Sequence, residues 1–196
     1  LAMGWQAKTT SNYGLAMGLR AVNTSSGSGI AIGADCTNTA SAIALGKNCQ
    51  STQNYAAAFG NYAKSDVIGK KAYSGWGTLN GVGSSQQGTY VLVRKTTDAT
   101  QTILTTNNAA ISNTVRNRMF IGPNTAYAFT GMVVGRETGS TGDLAAAWQV
   151  QGLVKTASSG SPTLVTKVIN VVDNTPSWGF DITTFNVTTG VVGIDF

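Results

Sequence analysis

The feature that most constrains this chain is a short internal repeat. The motif small–apolar–glycine occurs as Ala2-Met3-Gly4, Ala16-Met17-Gly18, Ala31-Ile32-Gly33, Ala44-Leu45-Gly46, Ala57-Ala58-Phe59-Gly60 and Val67-Ile68-Gly69. The glycines are 14, 15, 13 and 14 residues apart, then a contracted 9. Three positions after each glycine stands a small residue (Ala7, Ala21, Cys36, Cys49, Ala63, Ala72), and five after it a small turn former (Thr9, Asn23, Asn38, Ser51, Ser65, Ser74). A period near 14 is too short for a helix–turn–helix repeat and fits one coil of a β-solenoid, two short strands and two tight turns. Glycine supplies the turn geometry. The apolar residue before it is expected to point inward, and the small residue after it to let neighbouring backbones approach. On that reading, Ile32, Leu45 or Phe59 replaced by Asp collapses the stack. A single coil cannot bury its own apolar face, so coils must stack.

Composition agrees with such an architecture. Charged residues are 11% of the 196, against about 25% in ordinary soluble domains. With 24 glycines, the chain has many corners and few charges to cover a monomer's surface. Both suit a β-rich protein partly hidden by copies of itself. The many aromatic and β-branched residues argue against disorder. The net charge of +5 is spread out, with Lys70-Lys71, Arg94-Lys95 and Arg116-x-Arg118 as its tightest groupings. Nucleic-acid binders carry a denser basic stripe, so no nucleic-acid partner is expected. No apolar run reaches the ~20 residues that cross a bilayer, so no membrane insertion is expected. The chain opens inside a repeat with no secretion signal, and is read as a piece of a longer polypeptide.

Cys36 and Cys49 occupy equivalent positions of adjacent coils, where other copies have alanine. They read as buried free thiols acting as small hydrophobes. Stacked strands about 4.8 Å apart also leave a disulfide within reach. With no histidine and only these two cysteines, no zinc site is expected.

After the repeats, residues 76–88 are Gly/Ser-rich and read as a connector, with Trp76 plugging the last coil. Beyond it the pattern alternates with period two, the mark of half-buried strands. Candidate strands are 89–94, 101–105, 118–121, 125–136, 145–155, 164–172, 178–185 and 191–196. In the fourth, Tyr127, Phe129 and Val133 share a face; in the fifth, Trp148, Val150 and Val154 do. Strands at this density suit a two-sheet sandwich or jelly roll. The expected organisation is therefore all-β: a solenoid shaft over residues 1–75, a connector over 76–88, and a β-sandwich tip over 89–196.

Two segments carry a resemblance. Ser41-Ala-Ile-Ala-Leu-Gly-Lys-Asn-Cys-Gln-Ser51 is similar to the head repeats of trimeric autotransporter adhesins of the YadA type, which also occur in bacteriophage tail-fibre proteins. The two cysteines and the irregular last coil depart from that pattern. The resemblance implies left-handed β-rolls packed as a homotrimer. Tyr90-Val-Leu-Val-Arg-Lys-Thr-Thr-Asp98, Ala126-Tyr-Ala-Phe-Thr-Gly-Met-Val-Val-Gly-Arg136 and Ala147-Trp-Gln-Val-Gln-Gly-Leu-Val154 resemble a C-terminal domain of phage tail-fibre-like proteins. Together they imply a virion tail-fibre segment, assembled in the host cytoplasm. It would join other tail components and attach to a glycan or protein receptor on the bacterial surface. The alternatives are a bacterial surface adhesin and a purely structural head fibre or spacer.

Enzymatic chemistry finds little footing. The absence of histidine removes most triads and the commonest general base, and a glycosidase needs two facing carboxylates. Asp35 and Asp66 lie in different coils; Asp143, Asp173, Asp181 and Asp195 could converge in the tip, but the favoured reading is turn-capping and solvated carboxylates. Gly27-Ser-Gly29-Ile-Ala-Ile-Gly33 has one residue too many for a dinucleotide fingerprint and falls inside the repeat. No catalytic, cofactor or metal residue is therefore assigned. Receptor contacts are left to aromatics outside a core pattern (Tyr62, Tyr73, Trp76, Trp178) or to the loops at 107–117 and 139–143.

Overall fold

The computed structural model describes the chain apart from residues 77–80, 99, 113–115, 139–143, 159, 175–176 and 189–190. The described residues form strands, turns and bends, with no helix. The chain divides into two compact units, Leu1–Met119 and Phe120–Phe196.

The first unit is built on the repeat. Its coils carry β1 (Ala2–Met3) and β2 (Lys8–Thr9), then β3 (Leu15–Met17) and β4 (Val22–Asn23), then β5 (Ile30–Ala34) and β6 (Thr37–Asn38), then β7 (Ile43–Lys47) and β8 (Gln50–Ser51), then β9 (Ala57–Asn61) and β10 (Lys64–Ser65). One more strand, β11 (Lys71–Ser74), continues the first sheet. Odd-numbered strands stack in parallel as one sheet and even-numbered strands as a second, the pattern of a β-solenoid of about five turns.

Register identifies the sixth copy of the motif differently from the spacing. Ala2, Ala16, Ala31, Ala44, Ala58 and Ala72 form one column, and Met3, Met17, Ile32, Leu45, Phe59 and Tyr73 the next. Ala72-Tyr73-Ser74 therefore continues the motif, while Val67-Ile68-Gly69 is the turn before β11. The contracted interval vanishes. Serine can replace glycine at position 74 because, among the described residues, no further parallel strand stacks beyond β11.

The interior is also the reverse of the expectation. Ala16, Ala31, Ala44 and Ala58 of the first sheet face Ala21, Cys36, Cys49 and Ala63 of the other corner, and all eight are fully buried. The larger residues beside the alanines point outward. The glycine column fixes how closely the coils stack: a Cβ on Gly18, Gly33 or Gly46 would overlap the carbonyl oxygen of the stacked glycine in the next coil.

Each coil turns its corner through one residue in the left-handed region two positions after the glycine: Gln6, Arg20, Asp35, Asn48 and Tyr62. That conformation aims the residue's N–H at the coil before. Arg20 donates to Trp5, Asp35 to Leu19, Asn48 to Ala34 and Tyr62 to Lys47, at 2.8–2.9 Å. The hydrogen-bond ladder thus runs round the corner without a break. At the second corner the buried Asn23 and Asn38 donate to the carbonyls of Gly29 (2.6 Å) and Ala42 (3.0 Å). A Cβ at Gly14 or Gly29 would strike the side-chain amide of Asn23 or Asn38. In later coils the buried inward residues are Ser51 and Ser65.

The last coil is closed by side chain as well as strand. β12 (Gln87–Thr89) pairs antiparallel with β11. Beside the second sheet, the Gln86 amide accepts from the Lys64 N–H (2.7 Å) and donates to the Lys64 carbonyl (3.0 Å), imitating the strand of a further coil. Trp76 does not plug this end; it is 69% exposed.

The second unit contains two three-stranded sheets. β13 (Met119–Ile121), β18 (Val191–Asp195) and β17 (Thr183–Thr188) form one, and β14 (Ala126–Arg136), β15 (Ala145–Thr156) and β16 (Pro162–Asn174) the other. Of the expected strands, 89–94 and 101–105 reduce to a single bridge between Val93 and Thr105, and 178–185 is replaced by β17. The bridge stays isolated because Val91 and Val93 are exposed, with no apolar layer to receive them. Along β14, burial alternates strictly, with Tyr127, Phe129 and Val133 on the covered face. Phe129 lies over Gly152 of β15, its cross-strand partner, and meets Phe196 edge-on at 5.6 Å. Trp148 stacks on Phe180 at 5.7 Å.

Candidate functional site: the outer face of the solenoid

The two outer faces of the solenoid differ in kind. Outside the second sheet stand Lys8, Val22, Thr37, Gln50 and Lys64, largely polar. Outside the first sheet, Leu15, Ile30 and Ile43 form one ladder and Met17, Ile32, Leu45 and Phe59 another, all half-buried. At the ladder's ends Met3 is 51% and Tyr73 59% exposed. Stacking covers the flanks of each side chain and leaves its tip open. A buried alanine methyl contributes about 0.8 kcal/mol, whereas a fully covered Ile, Leu or Phe contributes about 1.5–3 kcal/mol. The larger apolar side chains of each coil are thus on its outside, where only another surface can finish covering them.

A polar cluster fixes the capped end. Asp66 meets Lys70 at 3.2 Å, Arg116 at 2.9 Å and Lys64 at 3.9 Å. Burial alone would raise the Asp66 pKa, but the charges of Lys70, Lys64 and Arg116 outweigh it and hold the carboxyl below its ordinary range. Lys70 is 5% exposed and also lies over the Tyr90 ring at 5.8 Å. Burial first, and then Asp66, push the Tyr90 hydroxyl up. Sequence reasoning missed this cluster, because its members are up to 50 residues apart.

Next to it, a loop is held by asparagines. Asn117, fully buried, donates to the Ala110 carbonyl (2.8 Å) and the Asn107 side chain (3.0 Å) and accepts from the Ser112 N–H (2.9 Å). Asn108 accepts from the Lys95 N–H at 2.9 Å. The described part of the 107–117 loop is thus rigidly tied.

The remaining candidates separate. Tyr62 is a corner residue, Tyr73 belongs to the apolar ladder, and Trp178 packs over Gly135. Of the four candidate aromatics, Trp76 is the one that is exposed and has no place in either pattern. Asp35 pairs with Arg20 of the preceding coil at 2.5 and 2.7 Å, and Asp181 with Lys167 at 2.5 Å. Asp173 lies on β16 and Asp195, buried, on β18. Asp143 and the 139–143 loop lie outside the described residues. Gly27–Gly33 leads into β5, with no helix to receive a phosphate. Among the described residues no cluster of His, Cys, Asp or Glu could hold a metal ion. Cys36 and Cys49 are buried and free, each with its Sγ near carbonyls of the stacked coils: Cys36 to Gly46 at 3.2 Å, Cys49 to Gly60 at 3.1 Å. The hydrogen bond to Cys36 and then burial push the Cys49 thiol up.

No family model, curated protein or solved structure matches the chain.

Proposed function

We propose that the chain is a segment of a homotrimeric fibre of the bacteriophage tail-fibre kind. In this reading a left-handed β-roll shaft carries a β-sandwich tip and attaches to the surface of a bacterial host. The observation that carries the reading is the division of labour between the solenoid's faces: small residues inside, large apolar residues on one outer face, polar residues on the other. Three copies that turn their apolar ladders to a common axis finish burying them and keep the polar sheet in water. The outer face of β14 and β15 suits the same arrangement, since Met132 and Val134 are exposed there beside Gln149 and Gln151. The tip contributes attachment through multivalency: identical tips held on one rigid shaft convert weak contacts into firm ones.

Attachment is tested by incubating the labelled chain with a panel of bacterial strains. Saturable retention on particular strains, displaced by unlabelled protein, is expected. Absence of saturable retention throughout the panel would favour a purely structural spacer.

A further inference from the structure

The first unit carries a surface cavity of about 360 Å³ between Arg94 and the 101–111 segment. Its lining includes the polar Arg94, Gln101 and Thr102 and the apolar Ile103 and Ile111. Val93 and Thr105 exchange backbone hydrogen bonds at 2.7 and 3.2 Å, which sets Arg94 against this segment. Ala109 and Ala110, which also line it, are held by Asn107 and Asn117.

Arg94 is the one charged side chain among the described residues of this lining. Its Nη1 donates to the Asn108 carbonyl at 3.2 Å, while its Nε is buried with no hydrogen-bond partner. Among the described residues no carboxylate pairs with it, and none lines the cavity. By contrast, Arg20 and Arg116 in the same unit both have aspartate partners. Among the described residues, a ligand anion in the cavity would meet Arg94 as its one charged side chain, with no protein carboxylate competing for the guanidinium.

We propose that this cavity binds a carboxylate-bearing sugar, a uronic or similar acidic residue of a surface polysaccharide, with its carboxylate on Arg94. The chemistry comes from the walls. The planar guanidinium matches a carboxylate in two-point geometry. Gln101 and Thr102 offer donors and acceptors for ring hydroxyls, and the isoleucines offer apolar surface to the C–H face of a pyranose. The volume lies within the range of small-ligand sites, about 300–1,000 Å³. The site is held ready by the Asn117 and Asn107 hydrogen bonds, so little ordering opposes binding. The inference rests on the attachment reading and names the chemistry of its receptor.

The test is an NMR titration of the intact chain with glucuronate and N-acetylneuraminate, with glucose and inorganic phosphate as controls. Shifts in the amides of 94–95 and 101–111 with an acidic sugar, and none with glucose, are expected. Arg94→Gln should weaken the response at least tenfold and Arg94→Lys by less, with the amide spectrum away from 94–95 and 101–111 matching the wild type in both. No response to either acidic sugar, or an undiminished response in Arg94→Gln, overturns the proposal. Phosphate bound as tightly as the acidic sugars overturns it as well, by making the site a simple anion site. Cell retention by Arg94→Gln equal to that of the wild type refutes this site as the receptor contact and leaves attachment standing. Arg94-dependent sugar binding without cell retention leaves the site standing and removes the attachment reading.

Discussion

Gly46 and Gly69 are both glycines at positive φ, at +132° and +68°, yet they do different work. A Cβ on Gly46 would run into the carbonyl of Gly60, whereas one on Gly69 meets nothing within 4 Å. Gly46→Ala should therefore cost on the order of 3 kcal/mol or more, since backbone there is nearly reserved for glycine and the coils must also part. Gly69→Ala should cost only about 1–2 kcal/mol. Urea midpoints of the two variants measure the difference, and equal losses would contradict the close-stacking account. The columns themselves were legible in the spacing of small residues. Which residue faced inward was not: with period two, alanine and its apolar neighbour are alternatives, and the spacing alone does not say which of them meets the Ala21, Cys36, Cys49 and Ala63 column. The left-handed corner residues left no trace, because Gln6, Arg20, Asp35, Asn48 and Tyr62 share a backbone conformation and no side-chain chemistry.

At the scale of elements, the capped end depends on Asp66. Its carboxyl is held below its ordinary pKa, so the stability it contributes is present above the unfolded value of about 3.9 and is lost as pH falls through the folded one. Unfolding midpoints of the wild type should drop below about pH 4, while Asp66→Asn should show a shallower drop. At neutral pH that variant should lose about 3 kcal/mol, because Lys70 stays buried without its anion. Parallel acid profiles for the two proteins would show that Asp66 is not the titrating group. Elements that pack on a sheet were legible: β14, β15 and β16 track the alternation of apolar residues closely. The segment from Thr89 to Thr105 alternates as well, but asparagine side chains, rather than a ladder of strands, tie Lys95 and the 107–117 loop in place. Alternation marks a strand only where a sheet receives it.

For the whole molecule, the repeat predicted stacked coils, and the solenoid is their stack. The proposed association rests on the outward ladder. Because Ile32, Leu45 and Phe59 point out of the coil, an Asp at Leu45 should leave the solenoid folded and break contacts between copies, in place of the collapse expected for an inward residue. Far-UV circular dichroism of Leu45→Asp should thus match the wild type while its mass falls. The most direct test is the solution mass by light scattering after size-exclusion chromatography, for the wild type beside Leu45→Asp. A wild-type species near three times the 20.2 kDa chain mass, with a folded monomeric variant, is the predicted result. A compact wild-type monomer would contradict the trimeric fibre.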